Sequence, residues 1–183
     1  MMIDSQKAEE QAVLNLAYAV CAAARTAPKA CGIDHMDTAV LTGGDKARLA
    51  EEMRRIGERL GEDGAFFLQD AGNLDASGAV VLVGVRYSPR GLDEMCGACG
   101  FKNCAACTAA GATCVFTPLD LGIALGSAVA LAADHRIDNR IMFTIGKAAS
   151  SLELLGKYKL IMGIPLSVSG KSPYFDRKLS RMD

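Results

Sequence analysis

Tryptophan is absent from the 183 residues, and the other aromatics are few, six phenylalanines and four tyrosines. They seldom alternate with basic side chains, and 20 Lys plus Arg against 21 Asp plus Glu leave the chain weakly acidic. No nucleic-acid partner is expected, because such proteins present a basic footprint with aromatic platforms. Long apolar runs are missing as well. The longest uncharged one near the middle, Leu121 to Ala133, has thirteen residues, against about twenty for a bilayer span. The apolar run Ala12 to Ala24 follows Glu9 and Glu10 instead of a basic leader, so it does not read as a secretion signal. Neither a Gly-x-Ser-x-Gly nor a paired-carboxylate motif occurs, which removes the common hydrolase readings. Gly43-Gly44 lacks the further glycines and the Lys-Ser/Thr of a phosphate loop and reads as a turn.

What is present is cysteine. Seven are too few for a disulfide framework, and a chain of this length can bury enough surface without one. Five of them, Cys96, Cys99, Cys104, Cys107 and Cys114, fall within nineteen residues, which suggests a metal in a reducing, cytoplasmic setting. Charge is also uneven. Residues 140 to 183 carry eight basic side chains against three acidic ones, a tail suited to an anionic small molecule.

Helices and strands alternate along the chain, with no repeat and no linker. Asp4 or Ser5 can cap a helix with Val13, Leu16, Ala17, Val20, Cys21 and Ala24 at helical spacing. A strand is predicted from Thr38 to Thr42, then a helix capped by Asp45, striped by Leu49, Met53, Ile56 and Leu60 and closed by Gly61. Residues 62 to 78 give no assignment. Ala79 to Tyr87 is a β-branched run of the kind covered on both faces of a sheet. Thr117-Pro118-Leu119-Asp120 reads as a capping box opening a long helix to about Asp134, with His135 and Arg136 complementing its negative end. A strand over Arg140 to Ile145, a short helix over Gly146 to Leu155 and a last strand over Lys159 to Val168 complete the pattern. The expectation is one α/β (α+β) domain over residues 1 to 183, a mixed sheet flanked by helices, with a cysteine-rich loop at 92 to 116.

Cys96-Gly-Ala-Cys99 and Cys104-Ala-Ala-Cys107 are two C-x2-C turns separated by four residues. Small residues inside them let backbone amides face sulfur, and thiolates so close repel one another unless a cation neutralises them. Four cysteines also satisfy zinc, but zinc pairs usually lie twelve or more residues apart, and four residues reach at most about 14 Å. Cys99, Cys104 and Cys107 reproduce the C-x4-C-x2-C spacing of plant-type ferredoxins, with Cys96 or Cys114 available as the fourth ligand. The ligand set predicted is Cys96, Cys99, Cys104 and Cys107, holding a two-iron or four-iron cluster, with zinc as the alternative. Cys114, before Val115 and Phe116, reads as a small buried hydrophobe. Cys21 reads as core and Cys31 as a partly buried free thiol.

The segment CGACGFKNCAAC, between a buried strand and a helix, resembles prokaryotic proteins described as containing a ferredoxin domain, a family without a settled activity. A second resemblance is to the flavin-dependent nitroreductase fold. Residues 22 to 42, AAARTAPKACGIDHMDTAVLT, are similar to the passage from its alanine-rich helix through a proline turn into its first strand. Helix 118 to 134 resembles its long central helix, and Gly163 to Lys178 its last strand with a following basic pair. That resemblance implies FMN, with Lys171, Arg177 or Lys178 at the phosphate and Arg25 and Lys29 as further contacts. His35, in the same early turn, reads as a structural histidine.

The function expected is an iron-sulfur redox protein, an oxidoreductase relaying electrons between the cluster and a flavin or small-molecule ligand through an electron-transfer partner. The alternatives are a non-catalytic module with structural zinc and a metal or redox sensor. Smooth, apolar first and central helices predict a homodimer.

Overall fold

The computed structural model describes residues 2–156, 158 and 160–175. Helix α1, Ser5–Thr26, starts where the Asp4 carboxylate accepts the Lys7 N–H at 2.9 Å, and it buries Val13, Leu16, Ala17, Val20 and Ala24. Strand β1, Met36–Leu41, leads into α2, Gly43–Leu60, which begins at Thr42 so that Asp45 sits in its first turn. Gly61, with φ of 62°, ends α2 as expected. The unassigned stretch contains α3, Ala65–Asp75, in which Phe67, Ala71 and Leu74 are buried while Phe66 and Leu68 face out.

Strand β2, Ala79–Val85, is buried at every position. The cysteine segment contains α4, Cys104–Ala109, and after it come α5, Phe116–Asp134, β3, Asp138–Asn139, α6, Phe143–Ser151, and β4, Leu160–Ser167. The sheet runs β1-β2-β4-β3, and all its pairings are antiparallel, so the mixture of strand directions expected does not occur among the described residues. Lys159, at the head of the predicted last strand, lies outside them.

Alternation along β2 divides the core in two. Ala79, Val81, Val83 and Val85 meet α1 and α5, whereas Val80 and Leu82 meet α2, α3 and α6. Residues alternate faces along a strand, so a chain covered on both sides must be apolar throughout. That is why β2 was easy to recognise.

The strand predicted at Arg140 to Ile145 is a correction. Met142 makes a single bridge to Gly163, and α6 begins at the next residue. Thr144 and Ile145 are β-branched, but Thr144 Oγ1 donates to Asp70 at 2.7 Å and Ile145 lies over the bare backbone of Gly163, contacts that outweigh propensity. The capping box is also corrected. Thr117 and Asp120 lie inside α5 and are buried, and Thr117 Oγ1 donates to the Ser88 carbonyl at 3.3 Å. At the other end, His135 and Arg136 close α5 as expected, with the Arg136 N–H on the Ala133 carbonyl at 3.0 Å.

Glu52 ties α2 to α6. Its carboxylate accepts Arg55 Nε at 2.7 Å, Arg55 Nη2 at 2.6 Å and Ser151 Oγ at 2.6 Å. The Arg55 hydrogen bond, reinforced by Ser151 and the Arg55 and Arg59 charges and opposed by burial, pulls its pKa from 4.5 down to about 2. A depressed carboxyl pKa contributes stability above the unfolded value and loses it as pH falls through the folded one. Glu52→Gln should therefore cost about 1 kcal/mol at pH 7, a modest figure because Arg55 is largely in water. In urea titrations the gap to the parent protein should close as pH falls from 4.5 toward 2. A gap independent of pH refutes the assignment.

Candidate metal centre

The chain leaves β2 at Val85 and returns to regular structure at α5, and the intervening residues form the site. Turns at Gly97 and Gly100 use φ of 58° and 80°, accessible to glycine without a Cβ penalty. Asp93 Oδ1 accepts the Cys104 N–H at 3.0 Å, and Asn103 Oδ1 caps α4 through the Ala106 N–H at 2.8 Å. These bonds fold the loop back on itself.

All five clustered cysteines line one cavity, with an empty volume of about 350 Å³ including its mouth. Leu92, Phe101, Val115 and Phe116 supply apolar wall. Cys107 is buried, while Cys96, Cys99, Cys104 and Cys114 are half-buried. Burial raises the Cys107 thiol pKa, helped by the hydrogen bond its S–H donates to Cys99 and by the neighbouring Cys99, Cys114 and Cys104. Those thiols cannot all ionise together without a compensating cation, which suits a metal-binding set. Among the described residues no three His, Cys, Asp or Glu side chains stand close enough to hold a single metal ion.

Cys114 is thus not the core hydrophobe expected. It joins the other four because the Thr117 N–H bonds the Cys114 carbonyl at 2.9 Å, placing it at the mouth of α5. Cys21 does pack against the core beside α5, and burial raises its pKa. Cys31 is exposed, in a left-handed conformation at φ of 57°, and so differs from the partly buried thiol expected.

The side chain that the sequence reading missed is Arg90. It lines the cavity and pairs with Asp120 at 2.7 Å, the two side chains being 1% and 2% exposed. Asp120 also accepts the Ala30 N–H at 2.9 Å, and Arg90 Nη1 donates to the Ser88 carbonyl at 2.9 Å. A lone carboxylate on the apolar stripe of Leu121, Ala124 and Ala128 was the available signal, since such a group is buried only with a partner. His35 has its pKa lowered by burial, then by Arg90 and Arg86, with Asp34 opposing.

The proposed flavin contacts are differently placed. Arg25 pairs with Asp34 at 2.8 Å and donates to the Met36 carbonyl, while Lys29 Nζ donates to the carbonyls of Arg25 and Ala27 at 2.6 and 2.9 Å. Lys171 is exposed in the turn after β4. Arg177 and Lys178 lie outside the described residues.

Comparison with known proteins places the fold first. A nitroreductase with bound FMN from Bacteroides fragilis superposes with a TM-score of 0.58 at 11% identity, over 100% of this chain and 86% of that one. A nitroreductase with bound FMN from Desulfitobacterium hafniense gives 0.54 at 14% identity, over 97% and 85%. The fold is that of the nitroreductases. In sequence, residues 110–177 match the family described as "Uncharacterized protein containing a ferredoxin domain (DUF2148)". An Archaeoglobus fulgidus protein described as uncharacterized is 37% identical over 185 residues, spanning 97% of this chain and 98% of its own. The chain belongs to this ferredoxin-domain family. The matched segment contains Cys114 but begins after Cys107.

Proposed function

We propose that this protein is a redox protein that carries an iron-sulfur cluster in the cavity between β2 and α5. The observation that supports this reading is the convergence of five thiols on one apolar-walled cavity. The C-x4-C-x2-C spacing of Cys99, Cys104 and Cys107 favours an iron-sulfur cluster over tetrahedral zinc. A bound cluster supplies one-electron transfer. The chain supplies cysteine ligands, loop turns that fix them, and apolar wall from Leu92, Phe101, Val115 and Phe116.

The ligands are drawn from Cys96, Cys99, Cys104, Cys107 and Cys114. Cys99, Cys104 and Cys107 are common to two quartets that line the cavity, completed either by Cys96 or by Cys114. Arg25 and Lys29 bond their own turn, so a flavin phosphate there would have to compete with Asp34 and with the Arg25 and Ala27 carbonyls.

Anaerobic purification followed by iron, zinc and acid-labile sulfide analysis tests the reading. Iron and sulfide in stoichiometric amounts are expected; stoichiometric zinc without sulfide removes it in favour of a structural module.

Self-association is part of the proposal. Leu119, Gly122, Ile123, Gly126, Ala130 and Ala133 make an exposed face of α5 that is apolar throughout, and its glycines leave room for a second backbone. Sedimentation at micromolar concentration should give a dimer; a stable monomer contradicts it.

A further inference from the structure

Among the described residues lining the cysteine cavity, Arg90 is the cation and Asp93 the anion. Asp93 is exposed, whereas Arg90 is sealed from solvent although the loop around it is open to water. Burying a guanidinium is costly, and a buried ion pair gives little net stability over apolar packing of the same shape. The position thus calls for a role beyond holding the loop. Three of the five Arg90 N–H groups are engaged, Nε and Nη2 by Asp120 at 3.3 and 2.7 Å and Nη1 by the Ser88 carbonyl. These bonds fix the charge at the cavity wall from two directions.

We infer that the buried Arg90–Asp120 pair sets the reduction potential of the cluster, Arg90 favouring the reduced form and Asp120 moderating it. The inference rests on the reading that a cluster occupies this cavity. On reduction one electron leaves the reductant and enters the cluster, no bond breaks and no proton moves, so the cluster becomes more negative by one charge. A fixed positive charge buried at the cavity wall stabilises that state, and a fixed negative charge behind it opposes it. Both residues act on the cluster as positioning and electrostatic groups.

Dithionite titration with redox mediators, followed by visible absorption on the full chain, reads the potential directly. Arg90→Gln should move it to more negative values and Asp120→Asn to more positive ones, each by at least about 59 mV, a tenfold change in a one-electron equilibrium. Arg90→Lys keeps the charge but loses the fork, so its potential should lie nearer the parent than that of Arg90→Gln even where its melting temperature falls. That split separates an electrostatic role from a structural one. Cluster-loaded Arg90→Gln and Asp120→Asn proteins that both stay within that window, or that shift in the same direction, overturn the inference and leave the cluster intact as a reading. Should Arg90→Gln fail to fold, the Asp120→Asn potential decides alone: a positive shift sustains the inference, and an unchanged or more negative value overturns it. Parent protein without iron and sulfide removes the cluster reading, and the inference with it.

Discussion

Serine in place of Cys99 is expected to abolish the visible absorption of the anaerobically purified protein and its acid-labile sulfide. Cys99 lines the cavity and contacts Cys107, the most buried of the five thiols. A serine hydroxyl is nearly isosteric, so the loop can keep its turns at Gly97 and Gly100 while losing the soft thiolate that iron requires. The expected change is essentially complete, because a cluster missing one of its cysteines is exposed to solvent at that corner. Cys21→Ser and Cys31→Ser are the controls; both residues lie outside the cavity lining and should leave the spectrum unchanged. Full retention of absorption in Cys99→Ser shows that the wrong ligands were chosen. The pair Cys96→Ser and Cys114→Ser then distinguishes the two quartets. Loss of the cluster in Cys96→Ser with retention in Cys114→Ser selects the quartet with Cys96, and the converse selects the quartet with Cys114.

A second large effect concerns Gly146. A Cβ there would lie 1.7 Å from the Ile161 carbonyl oxygen and 2.5 Å from its carbon, both backbone atoms of β4. Opposite it, a Cβ on Gly163 would meet Ile145 Cγ2 at 2.1 Å. The two glycines let α6 lie directly on the strand, and neither contact can be relieved by turning a flexible side chain. Gly146→Ala should cost about 3 kcal/mol by overpacking. The same substitution at Gly72 in α3 meets nothing within 4 Å and should stabilise by about 0.5–1 kcal/mol, since alanine removes backbone entropy from the unfolded chain. Urea unfolding of the two variants should give opposite signs. An equal, small change in both would mean that α6 does not lie on β4 as described.

How far the sequence could be read follows from where the determining contacts lie. The β2 strand, α1 and α5 declare themselves because their partners surround them and their patterns are complete along the chain. By contrast, α3 has four apolar side chains at its start, three of which face water, so periodicity alone does not define it. The segment 140 to 145 went wrong because β-branched residues were given strand weight, when a glycine on another element decides their conformation. At the site, the cysteine spacing was visible and the ferredoxin-domain resemblance agrees with the family found. Cys114 is legible only as a fourth-ligand alternative, because its place on the cavity depends on how the loop closes and not on spacing. Asp120 reads as a cap because Thr-Pro-Leu-Asp fits one locally, while its partners, Arg90 and the Ala30 amide, are thirty and ninety residues away in the chain.

Neither half of the core contains any of the five clustered cysteines. The layers on both sides of β2 therefore close without help from the loop, so that the proposed cluster would enter a body already folded. This is the reverse of a zinc finger, in which metal affinity and folding free energy are the same quantity. Removal of the cluster by a chelator should leave the far-ultraviolet circular dichroism of the helices unchanged and open the loop to proteolysis. Collapse of the whole spectrum on chelation would contradict that order. A protein built this way can lose and regain its inorganic cargo as a maturation step, without passing through the unfolded chain.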